Sequence, residues 1–389
     1  MKRKICFIIT NFIHYSRNLL VLDELNRRPD VELHVVLGGA AVGAKYVAHS
    51  ANITDAMRRN GFQHIHQVHF NLEGSDGVTK AKTAGLGMIE FASVFQAVSP
   101  DLVVIRGDRF ETLAAAAAAA FMNVPVAHIE GGDVTGTIDE SVRHAVTKLA
   151  NIHFPTNEPA RARLVQMGER KEHIFNYGSP DVEVVRTYAA SGRGAPDLSR
   201  TGSGAAINMK EDFLIVMFHP VTSEVEKLSD ETQVLLSAVH GIGMQTLWFW
   251  PNFDAGAEEI SRELRMFQNR EKDHRIRFLR YLPPEDFIAL LANARVLLGN
   301  SSAGIKECSI LGVPVVNVGT RQDGRLRAAN VLDCDMDADA IVAATRKQLF
   351  VGRYPALSPY AGEGTSKKIA EKLATVALYT QKKFAEHET

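Results

Sequence analysis

The chain has 389 residues, 46% hydrophobic and 23% charged, with 44 lysines and arginines against 45 aspartates and glutamates. That length predicts two or three domains, the composition excludes a disordered or fibrous chain, and a formal net charge of −1 excludes the global basic field of a nucleic-acid binder. No run approaches about 18 consecutive apolar residues, and the opening MKRKICFIITN has too short an apolar run for a signal peptide, so the expectation is a soluble, cytoplasmic protein with no membrane partner.

In chain order, short runs rich in Val, Ile and Phe alternate with longer stretches at helical spacing, the pattern of βα units feeding a parallel sheet. The predicted class is α/β, with two doubly wound Rossmann-like domains. Strands are predicted at 5–10, 31–37, 101–105, 124–129 and 152–154, and helices at 16–26, 81–97 and 110–122. The alanine run 114–120 is read as a helix whose small side chains let it lie close on a sheet. Residues 189–209, AASGRGAPDLSRTGSGAAINM, lose apolar periodicity and read as a linker. Alternation resumes with strands at 213–218, 246–250, 275–279, 296–299 and 314–318. The division is therefore placed at 1–188, 189–364 and a C-terminal stretch 365–389, with 365 to about 383 helical and packing back on the first domain. No sequence repeat relates the halves. The three cysteines, Cys6, Cys308 and Cys334, form no CxxC pair and read as reduced core residues.

In open α/β sheets the ligand lies outside the carboxyl ends of the strands, which directs attention to the residues just after each one. After 101–105 come Arg106, Gly107, Asp108, Arg109, Phe110 and Glu111, an acid and a base on a glycine turn. Taken alone these also fit a helix cap at Asp108 with a solvated Arg109. The next strand leads into His128-Ile129-Glu130-Gly131-Gly132-Asp133 and then a stretch holding Asp139, Glu140 and Arg143. Carboxylates with His and Arg at two successive strand ends point to proton transfer. In the second half His219 follows a strand directly. The stretch Gly299-Asn300-Ser301-Ser302-Ala303-Gly304-Ile305-Lys306-Glu307 reads as strand, small polar turn and helix start, a place for phosphate with a glutamate for ribose hydroxyls. Arg321 and Arg325 add cations on a glycine-rich loop. GxxxxGK[ST] and GxGxxG are absent, which removes the P-loop and NAD readings. No cofactor and no metal are expected, since the arginines already offer positive charge and no ligand spacing is evident.

With these residues in view, the chain resembles the sugar-nucleotide 2-epimerases, and within them the hydrolysing branch that makes N-acetylmannosamine for sialic-acid-type pathways. The resemblance rests on GDRFE (107–111), HIEGGDVTGTIDESVRHAVTK (128–148), FHPVT (218–222), PNFDAG (251–256), GNSSAGIKE (299–307) and GTRQDGR (319–325), and covers most of the chain. It implies a GT-B-like pair of Rossmann-type domains, with the nucleotide diphosphate on the second and the sugar in the cleft between them. It also implies an elimination: the C2 proton leaves with the nucleoside diphosphate, and water adds to the glycal-like intermediate. By resemblance Asp108 and Glu130 are the leading acid–base carboxylates, with Asp139 or Glu140 a third, and Arg109 and His219 assist. Ser301, Ser302 and Glu307 hold diphosphate and ribose, with Arg321 close by. Asn252, Asn300, Gly304 and Arg143 also fall within the matching motifs and are assigned to binding.

One departure concerns the first strand's turn, which in the family reads like Arg-Ala-Asp-Tyr. Here it is Asn11-Phe12-Ile13-His14-Tyr15-Ser16-Arg17. Tyr15 is retained as a binding residue, and Arg17, a helical turn later, is a replacement for the missing cation. Alternatively Phe12 packs at a domain interface and His14 caps the helix. The implied substrate is UDP-N-acetylglucosamine, with a UDP- or GDP-linked 2,4-diacetamido-6-deoxy sugar as the close variant. A GT-B glycosyltransferase and a non-catalytic sugar-nucleotide binder are the competing classes. The resemblance implies a homodimer or homotetramer.

Overall fold

A computed structural model describes residues 2–42, 53–74, 76–252, 254–270, 275–280, 282–383 and 385. The chain forms two compact units, one of Met1–Val134, Ile138–Val184 and Tyr360–Thr389, the other of Thr135–Thr137 and Val185–Pro359.

The first unit runs β1 (Arg3–Ile9), α1 (Phe12–Asn26), β2 (Val31–Leu37), α2 (Ile53–Arg59), β3 (His64–Gln67), α3 (Gly77–Val98), β4 (Leu102–Arg106), α4 (Phe110–Phe121), β5 (Val126–Ile129), α5 (Asp139–Leu149), β6 (Ile152–Phe154), α6 (Glu158–Gln166) and α7 (Pro180–Ala190). Its six-stranded sheet has the order β3-β2-β1-β4-β5-β6 and is parallel throughout. The central strands are largely apolar because both faces are covered. Ile5, Phe7, Ile9, Val35 and Leu37 join one cluster with Val21, Leu22 and Leu25 of α1. Cys6, Ile8 and Val36 face Phe91 and Phe95 of α3 on the other side. The alanine run is the interior of α4, where Ala114, Ala115, Ala116, Ala118 and Ala119 are buried.

The second unit continues with β7 (Ser203–Gly204), β8 (Phe213–Met217), α8 (Leu228–Ile242), β9 (Gln245–Phe249), α9 (Ala257–Arg270), β10 (Ile276–Leu279), α10 (Pro284–Asn293), β11 (Val296–Gly299), α11 (Ser302–Ile305), α12 (Glu307–Leu311), β12 (Val315–Val318), β13 (Val331–Cys334) and α13 (Ala338–Val351). Its sheet order is β13-β12-β11-β8-β9-β10-β7, parallel except for the antiparallel edge strand β7. Leaving β7 aside, both sheets repeat the order 3-2-1-4-5-6 of dinucleotide-binding folds, with reversal points between β1 and β4 and between β8 and β11. α14 (Thr365–Thr375) belongs to the first unit and lies against α1, where Ile369, Ala370 and Leu373 enter its cluster.

Three expectations are corrected. Residues 189–209 are no loose linker: α7 runs to Ala190, Leu198 is buried, and β7 pairs with β10. The Arg277 guanidinium binds the carbonyls of Leu198, Thr201 and Ala205, and Gly202 packs so closely that a Cβ there would lie 2.2 Å from Phe278 O. The C-terminal helix ends at Thr375, and residues 376–383 run as a non-helical strap. Tyr379 Oη donates to Asn151 O at 2.9 Å, and Lys382 pairs with buried Glu169, which also takes His153 and Lys148. Cys6 and Cys308 are buried, but Cys334 is partly exposed on edge strand β13.

Candidate functional site

At the reversal point of the first sheet, β4 ends in buried Arg106, Gly107 turns with φ +78, and Asp108 follows. The turn is propped by the Gly107 N–H on Ile129 O (3.0 Å) and by His128, whose Nε2 lies 2.9 Å from Gly107 O. A carbonyl only accepts, so Nε2 carries the proton and Nδ1 faces Thr147 Oγ1 at 3.1 Å. Burial, with a smaller contribution from Arg143, pushes the His128 pKa down to about 3, so this histidine is a neutral strut.

Asp108 pairs with fully buried Arg143 of α5, whose Nη1 also donates to Asp133 O at 2.9 Å. Burial alone would lower the Arg143 pKa, but Asp108, Asp133 and Asp139 reverse that and hold it charged. Asp139, one helical turn before Arg143 on α5, contributes to that charge balance. Glu140 turns toward His144, 3.7 Å away.

Glu130 follows β5 with φ +74, a left-handed backbone unusual for a side chain of this size and a mark of functional sites. Its Oε2 accepts from Arg106 Nε (3.1 Å) and Nη2 (3.0 Å). Arg106 Nη2 also pairs with Asp181 of α7, and Arg17 Nε lies 3.7 Å from the other Asp181 oxygen. The loop after Glu130 is tight: a Cβ on Gly132 (φ +79) would lie 2.3 Å from Ala160 O.

The α1 turn differs from both sequence readings. Asn11, not His14, caps the helix, its side chain accepting from the His14 N–H at 2.8 Å. His14 is buried with Nδ1 3.1 Å from Thr10 Oγ1. Desolvation, then the charges of Arg106 and Arg109, lower its pKa to about 3, so it is neutral. Tyr15, expected in binding, is 5% exposed in the apolar cluster, edge-on to Phe12. Arg109 is engaged with buried Glu111 through Nε (3.0 Å) and Nη2 (3.2 Å).

In the second unit His219 follows β8. Its Nδ1 accepts from the Asn252 N–H at 3.2 Å, which puts the proton of the neutral ring on Nε2. Burial and the nearby Arg321 charge lower its pKa to about 3, against a smaller opposing pull from Asp254. Asn300 clamps the His219 backbone from both sides, Oδ1 accepting from its N–H and Nδ2 donating to its carbonyl, each at 2.8 Å. The turn needs Gly299 (φ +135), where a Cβ would lie 2.1 Å from Met217 O. Arg321 Nη1 and Gln322 Nε2 donate to Asn300 O at 3.2 and 2.8 Å, and Arg321 Nη2 is 3.9 Å from Asp254, itself bonded to Asn252. Phe253 of the same motif lies outside the described residues.

The predicted helix start after Ser301 is two short helices, α11 and α12, broken at fully buried Lys306. Ser301 caps α11, its Oγ accepting from the Ala303 N–H at 3.3 Å; Ser302 is half-buried and Glu307 buried. Gly304 serves packing, since a Cβ there would meet Val315 Cγ1 at 2.8 Å. Sequence reasoning gave no role to Arg106, Asp133, Asp181, Asp254, Gln322 or Lys306. Asp133, Asp254, Gln322 and Lys306 lie inside motifs it quoted and Arg106 directly precedes one, whereas Asp181 carries no local signal. Among the described residues no group of three His, Cys, Asp or Glu is placed to hold a metal, and no helix is long and apolar enough to cross a membrane.

A family model described as UDP-N-acetylglucosamine 2-epimerase matches residues 23–374. The chain belongs to that family. It is 32% identical over 98% of both chains to the UDP-N,N'-diacetylbacillosamine 2-epimerase (hydrolyzing) of Legionella pneumophila. It is 33% identical to the UDP-N-acetylglucosamine 2-epimerase of Neisseria meningitidis, over 97% of this chain and 95% of that one. The fold matches the Methanocaldococcus jannaschii UDP-GlcNAc 2-epimerase, solved with UDP-GlcNAc and UDP, at a TM-score of 0.75 and 16% identity over 96% of this chain and 99% of that one. The Neisseria meningitidis enzyme bound to UDP-GlcNAc gives a TM-score of 0.72 at 15% identity, again over 96% and 99%. The family therefore supplies a 2-epimerase on the two-unit α/β fold described above.

Proposed function

We propose that the protein is a hydrolysing 2-epimerase that converts UDP-N-acetylglucosamine and water into N-acetylmannosamine and UDP, in the cytoplasm, feeding synthesis of a sialic-acid-type sugar. The observation that carries this reading is the pair of carboxylates, Asp108 and Glu130, at the carboxyl ends of the neighbouring strands β4 and β5, each held by a buried arginine. One takes the proton from C2 as the C1–O bond to the diphosphate breaks, and the electron pair of the C–H bond becomes the C1–C2 double bond. Water then adds across that double bond, its oxygen to C1 and its released proton, passed on by the second carboxyl group, to C2 on the opposite face; the proton held by the first carboxylate leaves to solvent or UDP, so atoms and charge balance.

The other residues are assigned by what each can supply. Asp139, beside Arg143, is the nearer reserve of the α5 pair Asp139 and Glu140. Neutral His219 presents an Nε2–H donor, and Arg321 offers a cation to the leaving diphosphate. Ser301, Ser302 and Glu307 hold the nucleotide.

A second substrate, a UDP-linked 2,4-diacetamido-6-deoxy sugar, is favoured by one feature: the α1 turn presents neutral His14 and core-packed Phe12 where the family carries charges. Nucleotide release measured in parallel on UDP-N-acetylglucosamine, the UDP-linked diacetamido sugar and a GDP-linked sugar tests both. The reading predicts the highest kcat/KM for UDP-N-acetylglucosamine, with free N-acetylmannosamine as product. Preference for the diacetamido sugar would transfer the assignment to the second reading, and turnover of none would contradict both.

A further inference from the structure

We infer that Arg106 and Asp181 are positioning residues that set the direction and basicity of the Glu130 carboxylate, with Arg17 as the second cation of a buried quartet. The inference rests on the reading of Glu130 as an acid–base group, adds Arg106 and Asp181, to which no role in the reaction has been given, and assigns Arg17 a second role beside Asp181.

The geometry is that of a shared cation. Arg106 directs Nε and Nη2 at one oxygen of Glu130, and the same Nη2 serves Asp181. The side chains of Arg106, Glu130 and Asp181 are 2%, 8% and 0% exposed, so water screens little of this. Two carboxylates cannot remain ionised on one buried guanidinium without further compensation, and Arg17 supplies it at 3.7 Å from Asp181. Two cations and two anions make the quartet neutral.

This arrangement answers a requirement of the chemistry. A carboxylate given a whole buried arginine is held ionised but becomes a poor base, because the cation favours its charged form. The C2 proton is weakly acidic, so such a base would be too weak. Asp181 takes part of the Arg106 field and adds a like charge nearby, and both effects raise the proton affinity of Glu130. The fork also fixes the direction of a side chain whose backbone is already confined to the left-handed region. His14 of α1 is neutral, and the charges acting on it are those of Arg106, Arg109, Asp108 and Arg17. Asp108 is paired with Arg143 and Arg109 with Glu111, while Arg106, Asp181 and Arg17 pair within the quartet.

The test is the pH dependence of kcat/KM on UDP-N-acetylglucosamine for the intact protein and its variants, with thermal melts recorded alongside. Glu130→Asp identifies the limb of the profile that this carboxyl sets. Asp181→Asn is expected to move that limb to lower pH by about 1 unit, and Arg17→Gln to move it upward. Arg106→Lys keeps the charge but loses the fork, and is expected to lower kcat about 10²-fold with KM little changed. If Glu130→Gln is inactive but the profiles of Asp181→Asn and Arg17→Gln superimpose on the parent, the positioning role is overturned while the function stands. If Glu130→Gln turns over normally, the functional reading falls and the inference with it. The exposure of Arg17 makes Arg17→Gln the variant least able to disturb folding, so the pH shift remains measurable if a buried substitution unfolds the protein.

Discussion

A carboxyl group that moves a proton at carbon has to be held still, and Asp108 and Glu130 are each fixed by a buried arginine. Asp108→Asn and Glu130→Gln are therefore expected to lower kcat by about 10²–10⁴-fold while calorimetry shows UDP binding close to wild type. Near-normal turnover in both would remove the site assignment. Glu307→Gln and Ser302→Ala act on the other unit, and are expected to weaken UDP binding in the same titrations with a smaller effect on kcat. The two carboxylates were legible in the sequence because each follows a strand on a glycine-containing turn. Their cations were less so. Arg106 reads locally as the first residue after a strand, though the strand in fact runs through it, and Asp181 is brought to it by the placement of α7, 75 positions further along the chain. Tyr15, kept within the family's turn, is buried in the core cluster, a packing role that the motif does not signal.

At the scale of elements, the strands that the apolar pattern marked are those covered on both faces. The pattern passed over β3 and β13, short edge strands that are only partly buried, with polar residues breaking the apolar run in HIHQ and at Asp333 in VLDC. It likewise read a linker where Gly and Ser allow an edge strand to approach β10. The C-terminal helix was extended too far because Tyr379 and Lys382 look compatible with helix, whereas their partners Asn151 and Glu169 are reached only by a non-helical strap. Two turns are testable directly. Gly132→Ala and Gly299→Ala each place a Cβ against a backbone carbonyl at positive φ, at 2.3 and 2.1 Å. Each is expected to destabilise by about 1–3 kcal/mol or more in urea denaturation, the range for backbone strain of this kind. An unchanged midpoint would mean the turn relaxes freely.

Across the whole molecule, two units with the same strand order arise from sequences that share no visible repeat. The order is set by burial and crossover rules rather than by residue identity, and it puts chemistry-bearing side chains at equivalent strand ends of each. Stability should follow pH through the groups these units bury. His14 and His128 have folded pKa values of about 3, against about 6.5 in an unfolded chain. Above pH 6.5 neither state holds the proton; between 6.5 and 3 only the unfolded state does, so stability falls on acidification by at most about 1.4 kcal/mol per pH unit for each histidine. Glu169 acts in the same sense at lower pH. Burial opposes its ionisation, but His153, Lys382 and Lys148 outweigh that and bring it to about 2, so its contribution is present above about 4.5 and is lost as pH falls toward 2. Urea midpoints are expected to drop between pH 7.5 and 5.0, and equal midpoints would contradict neutral burial of both histidines.

The central claim is that proton chemistry at C2 accompanies loss of the diphosphate. Proton NMR of the protein with UDP-N-acetylglucosamine in D2O follows the anomeric and C2 signals together with the released nucleotide. The account predicts free N-acetylmannosamine carrying deuterium at C2 with one UDP per sugar. Release of UDP with the C2 proton retained would contradict it.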